Sequence, residues 1–273
     1  MYGIILAPNT HGFLKAFIYF GKGFLSIKMH VIATEVPARA RAGVTSRTLL
    51  KPENSQSGAV KVSHITLQLG SEIVFDEPMT EYLHYIIKGC IGFGGLDGDL
   101  LPSNTAIFIQ CAKTGPEPYT SKHTIAQTGE SETRLLTVAC KVSKPAFSWA
   151  RRLDRNLYHI PQYHSGKQVT GQTTVLREEE LIVRGSSRIH CVKVQSQGTG
   201  TTIPPYSGPE EIMYLLSSEG ELDSDGEKVE TRPGSFIYTP EGKMHSINNK
   251  HERFPMQYVL VELVDHEKIW RNE

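Results

Sequence analysis

Short apolar runs rich in β-branched and aromatic residues recur along the chain, separated by Gly, Pro, Asn, Asp and Ser. In the first half this pattern predicts strands at Val60–Leu69, Tyr82–Ile87, Ala106–Ile109 and Arg134–Val142. In the second half it predicts strands at Arg188–Val194, Ile212–Leu216, Ser235–Thr239 and Met256–Val264. No heptads, low-complexity tracts or long helical patterns interrupt them. Three short helices are expected, at Phe147–Leu153, Arg177–Glu180 and His266–Arg271. Short strands punctuated by turns at this density predict an all-β sandwich or barrel.

The strand rhythm breaks between Ser143 and Lys167. Segments on either side of the break repeat. Lys122-His123-Thr124-Ile125 returns as Met244-His245-Ser246-Ile247, and Tyr85-Ile86-Ile87-Lys88-Gly89 returns as Tyr214-Leu215-Leu216-Ser217-Ser218. Two segments recurring in one order at nearly one offset point to a duplicated domain. The expected division is 30–145, a linker at 146–168, and 169–273.

Composition narrows the function classes. Lys plus Arg equals Asp plus Glu at 29 each, so no basic field exists to hold a polyanion, and nucleic acid is not an expected partner. Cys90, Cys111, Cys140 and Cys191 form no C-x-x-C pair and no disulfide framework, which suits buried thiols in a reducing, cytoplasmic setting. The apolar stretch Phe13–Ile27 is broken by Lys15 and Lys22 and is too short to span a bilayer. It also lacks the charge and cleavage pattern of a secretory signal. Either Met29 is the initiator or residues 16–28 add an edge strand.

One motif carries most of the chemical information. Residues from Gly234 through Pro240, Gly242 and His245 to Asn249 fit G-x5-P-x-G-x2-H-x3-N at all five fixed positions. Gly234 suits the turn entering a strand, and Pro240 and Gly242 shape the turn between two strands. His245 then opens a strand with its ring directed inward, and Asn249 can close the following turn. This is the second cupin motif, so the chain resembles the cupin superfamily, and its duplication resembles a bicupin. The resemblance covers roughly residues 45–142 and 170–265. It implies two tandem jelly-roll barrels of the double-stranded β-helix type.

Members of that superfamily hold Mn, Fe, Ni, Zn or Cu with three His and one Glu, and include dioxygenases, decarboxylases, isomerases, lyases, aminohydrolases and non-enzymatic binding proteins. The first cupin motif, G-x5-H-x-H-x3-4-E-x6-G, keeps its spacing here but not its residues. In the second half Gly198 opens it, Pro204 and Tyr206 stand at the His positions, Glu211 keeps the carboxylate, and Ser218 replaces the last Gly. In the first half Gly70 and Gly89 frame it, with Asp76, Pro78 and Tyr82 at the ligand positions, and His123 remains from the second motif. The candidate site is therefore Glu211 and His245 with Tyr206, as catalytic residues or as ligands of one divalent transition metal such as Mn, Fe, Ni or Zn. A rearranged site of Asp76, His84 and His123 is the alternative, because alternation puts His84 on the interior face with Tyr82. Tyr214, three residues from Glu211, should face away from the cavity.

Two functions fit these residues. One is an enzyme acting on a small polar metabolite in the second barrel by isomerase, lyase or hydrolase chemistry. The other is a non-catalytic cupin that binds a small ligand or serves a structural or regulatory role. Bicupin (S)-ureidoglycine aminohydrolases have similar length and architecture, but their metal-ligand strand is not recognisable in this sequence. A homodimer is compatible with either function, and no membrane partner is expected.

Overall fold

The computed structural model describes residues 29–93, 100–111, 122–142, 156–159, 175–182 and 188–264. The helices expected at 147–153 and 266–271 and the stretch 13–28 lie outside them. The first half supplies β1 (Met29–Ile32), β2 (Ala38–Arg41), β3 (Val44–Leu50), β4 (Val60–Leu67), β5 (Glu72–Phe75) and β6 (Thr80–Lys88). It continues with β7 (Cys90–Phe93), β8 (Leu100–Pro102), β9 (Thr105–Ile109), β10 (His123–Gln127) and β11 (Thr133–Lys141). The second half supplies β12 (Asn156–His159), β13 (Val175–Ile182), β14 (Ile189–Gln197), β15 (Thr202–Tyr206) and β16 (Glu210–Ser217). After these come β17 (Gly220–Ser224), β18 (Glu227–Thr231), β19 (Ser235–Thr239), β20 (His245–Asn249) and β21 (Met256–Leu263).

These strands form two barrels, each with one large and one small antiparallel sheet. The first barrel pairs the order β12-β9-β6-β11-β4-β3-β2 with β5-β10-β7-β8. The second pairs β1-β19-β16-β21-β14-β13 with β15-β20-β17-β18. All the strands expected from the apolar runs are present.

The helix expected at Arg177–Glu180 is instead part of β13, which pairs with β14 from Val175↔Gln197 to Ile182↔Cys191. The charged run favours a helix locally, but an isolated helix this short is unstable in water. The backbone finds a full ladder on β14.

The two halves exchange strands. β1, at the front of the chain, pairs with β19 of the second barrel, Met29↔Tyr238 through Ile32↔Ser235. β12, after the first barrel, pairs with β9, Asn156↔Phe108 through His159↔Thr105. β1 crosses the division expected at 30–145, 146–168 and 169–273, whereas β12 lies within the expected linker. Each covers a sheet edge that would otherwise expose unpaired backbone groups.

Alternation sorts the side chains into three cores. On β6, Tyr82 and Ile86 point into the first barrel with Ile65, Leu67, Ile107 and Leu135. Leu83 and Tyr85 point the other way, into a core shared by the two large sheets. There they meet Ile212, Tyr214, Phe236 and Val259 of the second barrel. The third core fills the second barrel with Met213, Leu215, Ile237, Tyr258 and Leu260. Each fully buried side chain of this size stabilises by roughly 1.5–3 kcal/mol. The shared core thus sets the two barrels against one another through their large sheets. Tyr214 lies in it, as expected for a residue facing away from the cavity.

The closing glycine of the first motif has a structural duty. Gly89 sits at φ +86°, and a Cβ there would lie 2.5 Å from Thr133 Oγ1 and 2.8 Å from the Glu132 carbonyl oxygen. At the matching place in the second half, Ser218 adopts φ +67°. Among the described residues no helix is long and apolar enough to cross a membrane.

Candidate functional site

The second motif folds as its residue types require. Gly234 turns the chain at φ +86° and donates its N–H to the Leu215 carbonyl at 2.9 Å. Its own carbonyl accepts from Ala33 N–H at 2.9 Å, just past the exchanged strand. Gly242, at φ +75°, donates to the Gly208 carbonyl at 2.9 Å and so ties the turn before β20 to the loop after β15. Asn249 closes the far end. Its Nδ2 donates to the carbonyls of Gly198 at 3.0 Å and Phe254 at 3.1 Å, while its Oδ1 accepts from His251 N–H at 3.0 Å.

Between these anchors the three candidate residues converge. Tyr206 ends β15 opposite His245, the first residue of β20. The register shifts between Ile203 and Tyr206, where Pro204 and Pro205 cannot donate to a ladder. The Tyr206 hydroxyl donates to Glu211 Oε2 at 3.0 Å, and the same oxygen lies 3.1 Å from His245 Nε2. The Tyr206 and His245 rings stand 4.3 Å apart. The side chains of His245 and Glu211 are 1% and 3% exposed, whereas Tyr206 is half-buried.

Two contacts bear on the proton arrangement of His245. His245 Nδ1 lies 3.2 Å from the Lys243 carbonyl oxygen, which can only accept, so Nδ1 carries the proton. Nε2 is close to Glu211 but has no hydrogen-bond partner aligned with it. With the proton on Nδ1, Nε2 and Glu211 Oε2 are two proton-accepting atoms 3.1 Å apart, a contact suited to one proton shared between them. Burial, then the charge and hydrogen bond of Glu211, push the Tyr206 phenol far above its ordinary range. Tyr206 keeps its proton and acts as a donor.

That donor set falls short of the three His and one Glu that the cupin motifs imply. Glu211 and His245 stand at motif positions for ligands, and a phenol whose proton is committed to Glu211 is a poor third. Among the described residues no group of three or more His, Cys, Asp or Glu comes together. Structural and catalytic metal sites need three or four well-placed protein ligands.

The alternative cluster in the first barrel is only partly assembled. His84 and His123 meet Nε2 to Nε2 at 2.8 Å, and His84 Nδ1 lies 3.0 Å from Thr137 Oγ1. Burial, then His123, hold the His84 imidazole well below its ordinary range. Aromatic rings pack around the pair, with Phe75 4.6 Å from His84 and 4.9 Å from His123, and Phe93 5.6 Å from His123. Asp76 does not join it. Phe75 turns into the barrel, so its neighbour Asp76 is exposed.

Three residues at the second site were not singled out from the sequence. Gly208 leaves room beside Glu211, since a Cβ there would lie 2.8 Å from Glu211 Oε1. Lys193 and Glu262 form an ion pair at 2.6 Å, with side chains 17% and 15% exposed. Their signal was a single charge inside an otherwise apolar strand run, at the parity of interior residues.

Comparison with known proteins agrees with this architecture. Residues 190–262 match the Cupin domain family. Protein Ylba from E. coli superimposes with a TM-score of 0.66 at 11% identity, covering 86% of this chain and 90% of that one. A variant of Bacillus subtilis oxalate decarboxylase superimposes with a TM-score of 0.61 at 14% identity, covering 89% of this chain and 79% of that one. An uncharacterized protein of Methanocaldococcus jannaschii is 29% identical over 83 residues, which is 30% of this chain and 66% of that relative's length. The chain is a cupin-fold protein of two barrels, and its second barrel carries the family's domain.

Proposed function

We propose that the second barrel binds a small polar metabolite at Tyr206, Glu211 and His245, and that Glu211 and His245 exchange a proton with it. The reaction class is an isomerase, lyase or hydrolase step. The observation that carries this reading is the placing of the His245 ring nitrogens, Nδ1 3.2 Å from the Lys243 carbonyl oxygen and Nε2 3.1 Å from Glu211 Oε2. A base and a carboxylate sharing one point can accept and return a proton without a third ligand. Tyr206 supplies a neutral hydrogen-bond donor to an oxygen of the ligand, and orients Glu211 through the bond it makes at 3.0 Å.

The test is a metabolite screen by thermal shift on the native protein, His245→Ala and Glu211→Gln. Compounds that stabilise the native protein should not stabilise either variant. A second reading, a binding module without turnover, is favoured by the burial of His245 and Glu211 at 1% and 3%. Turnover assays on the compounds found in the screen separate the two, since a binding module returns its ligand unchanged.

A further inference from the structure

The loop between β3 and β4 of the first barrel reaches the second barrel beside its site. Its own atoms hold it in shape. Ser55 Oγ donates to the Pro52 carbonyl at 2.9 Å and accepts the Val60 N–H at 3.3 Å, and Gly58 N–H donates to the Ser55 carbonyl at 3.1 Å. Gln56, at the tip, bonds twice to the second barrel. Its main-chain N–H donates to Tyr238 Oη at 2.6 Å, and its side-chain Oε1 accepts the Glu241 N–H at 2.6 Å.

Glu241 is a central residue of the turn that leads into β20. Lys243 N–H donates to the Pro240 carbonyl at 3.2 Å and closes this turn, with Gly242 at φ +75° in the place where a turn of this kind needs positive φ. The N–H groups of Glu241 and Gly242 both bond outside the turn. Gly242 N–H goes to the Gly208 carbonyl at 2.9 Å, in the loop beside Glu211. Glu241 N–H goes to Gln56. The turn ends on Lys243, whose carbonyl oxygen lies 3.2 Å from His245 Nδ1. One turn thus touches both the Glu211 side and the His245 side of the site, and the first barrel holds that turn.

Stability alone gives little reason for the Gln56 side-chain bond. Gln56 and Glu241 are exposed, and water can replace either partner at small cost. An oxygen carried on a braced loop adds what water does not, a fixed place for the Glu241 peptide. We propose that Gln56 is a positioning residue of the second-barrel site: its side-chain oxygen sets the Pro240–Lys243 turn and, through it, the Lys243 carbonyl that meets His245 Nδ1. Its bearing on ligand binding rests on the proposed function of the same site.

The experiment uses the full chain without ligand and compares the native protein with Gln56→Met and Gln56→Glu. Met keeps the length of the side chain and the main-chain bond to Tyr238 but has no oxygen to accept Glu241 N–H, whereas Glu restores an acceptor. Two readouts are taken, the His245 ring proton–nitrogen correlations and hydrogen exchange of the Glu241 amide. In Gln56→Met the His245 ring signals should shift and Glu241 exchange should quicken about tenfold. The ring signals of His64 and His251 and the urea midpoint should stay at native values. Gln56→Glu should return both readouts to native values. Unchanged His245 signals in Gln56→Met, failure of Gln56→Glu to restore them, or a shift of all three rings with a lowered midpoint overturns the inference. If His245 follows Gln56 as expected but no compound of the metabolite screen moves its ring signals, the proposed function falls and the positioning role stands. If compounds move those signals while Gln56→Met does not, the inference falls and the proposed function stands.

Discussion

Glu210 and Glu211 are neighbours on β16 and serve opposite faces of one sheet. Glu210 Oε1 accepts the Tyr238 hydroxyl at 2.7 Å on the side of the shared core, and Tyr238 Oη accepts the Gln56 N–H of the first barrel at 2.6 Å. Glu211 turns inward to His245 at 3.1 Å. The strand that carries the site is thus fastened to the other barrel one residue away from it. Tyr238→Phe removes the hydroxyl, takes the acceptor from the Gln56 N–H, and leaves Glu210 Oε1 with the Ser57 hydroxyl at 3.4 Å. Urea unfolding should show a loss of about 1–3 kcal/mol, with the fold kept.

The two barrels should respond differently to loss of their histidines. His245→Ala should abolish ligand-induced stabilisation. His123→Ala should leave it intact and lower stability by about 2–4 kcal/mol, because it empties a packed ring position and strands His84. Thermal shift with a ligand from the metabolite screen reads both effects. Metal content of protein purified without a metal-affinity tag should stay well below one ion per chain and should not change in His245→Ala. Stoichiometric metal lost in that variant would mean that ligands outside Glu211, His245 and Tyr206 complete a real centre.

Acid should weaken the contact between the barrels. His64 is 2% exposed and stacks on Tyr214 at 6.1 Å. Burial, then the charges of Arg47 and Arg134, lower its imidazole to about 4, against a smaller opposing effect of Glu132. The unfolded chain takes up a proton near pH 6.5, and the folded chain resists doing so until about pH 4. The contribution is therefore complete above pH 6.5 and is lost progressively as pH falls from 6.5 to about 4. At about 1.4 kcal/mol per unit it amounts to roughly 3 kcal/mol. Urea unfolding at pH 7 and pH 4.5 should show this loss, and His64→Gln should flatten it.

Two glycine substitutions should separate site from scaffold. Gly208→Ala pushes a methyl group against Glu211 Oε1 and should remove the ligand response at a stability cost below about 1 kcal/mol. Gly89→Ala meets the Glu132 carbonyl oxygen at 2.8 Å with φ at +86°, and should cost more than about 1 kcal/mol with no effect on ligand affinity. Denaturation midpoints and ligand titrations on both variants check the contrast.

The barrels were legible in the sequence because the central strands of the large sheets alternate between two apolar cores, and because Gly234, Pro240, Gly242, His245 and Asn249 keep a fixed spacing. The convergence of Tyr206 with Glu211 and His245 followed from the motif position of Tyr206. The exchange of β1 and β12 was not legible. The residues of β1, Met29–Ile32, carry the same kind of apolar pattern whichever sheet they join, and long-range pairing leaves no local mark. Arg177–Glu180 misled because local propensity favours a helix there while the ladder to β14 decides otherwise. Asp76 misled because motif spacing was followed instead of the alternation set by Phe75. Lys193 and Glu262 went unread because one charge in a strand is ordinary until its face is known.

The most direct test of the central claim is the tautomer of His245, read from long-range proton–nitrogen correlations of the histidine rings in the native protein at neutral pH. The account predicts a protonated Nδ1 and an unprotonated Nε2 whose shift changes when ligand binds. A proton resident on Nε2, with Nδ1 bare and no response to ligand, would leave no base at this point and would contradict it.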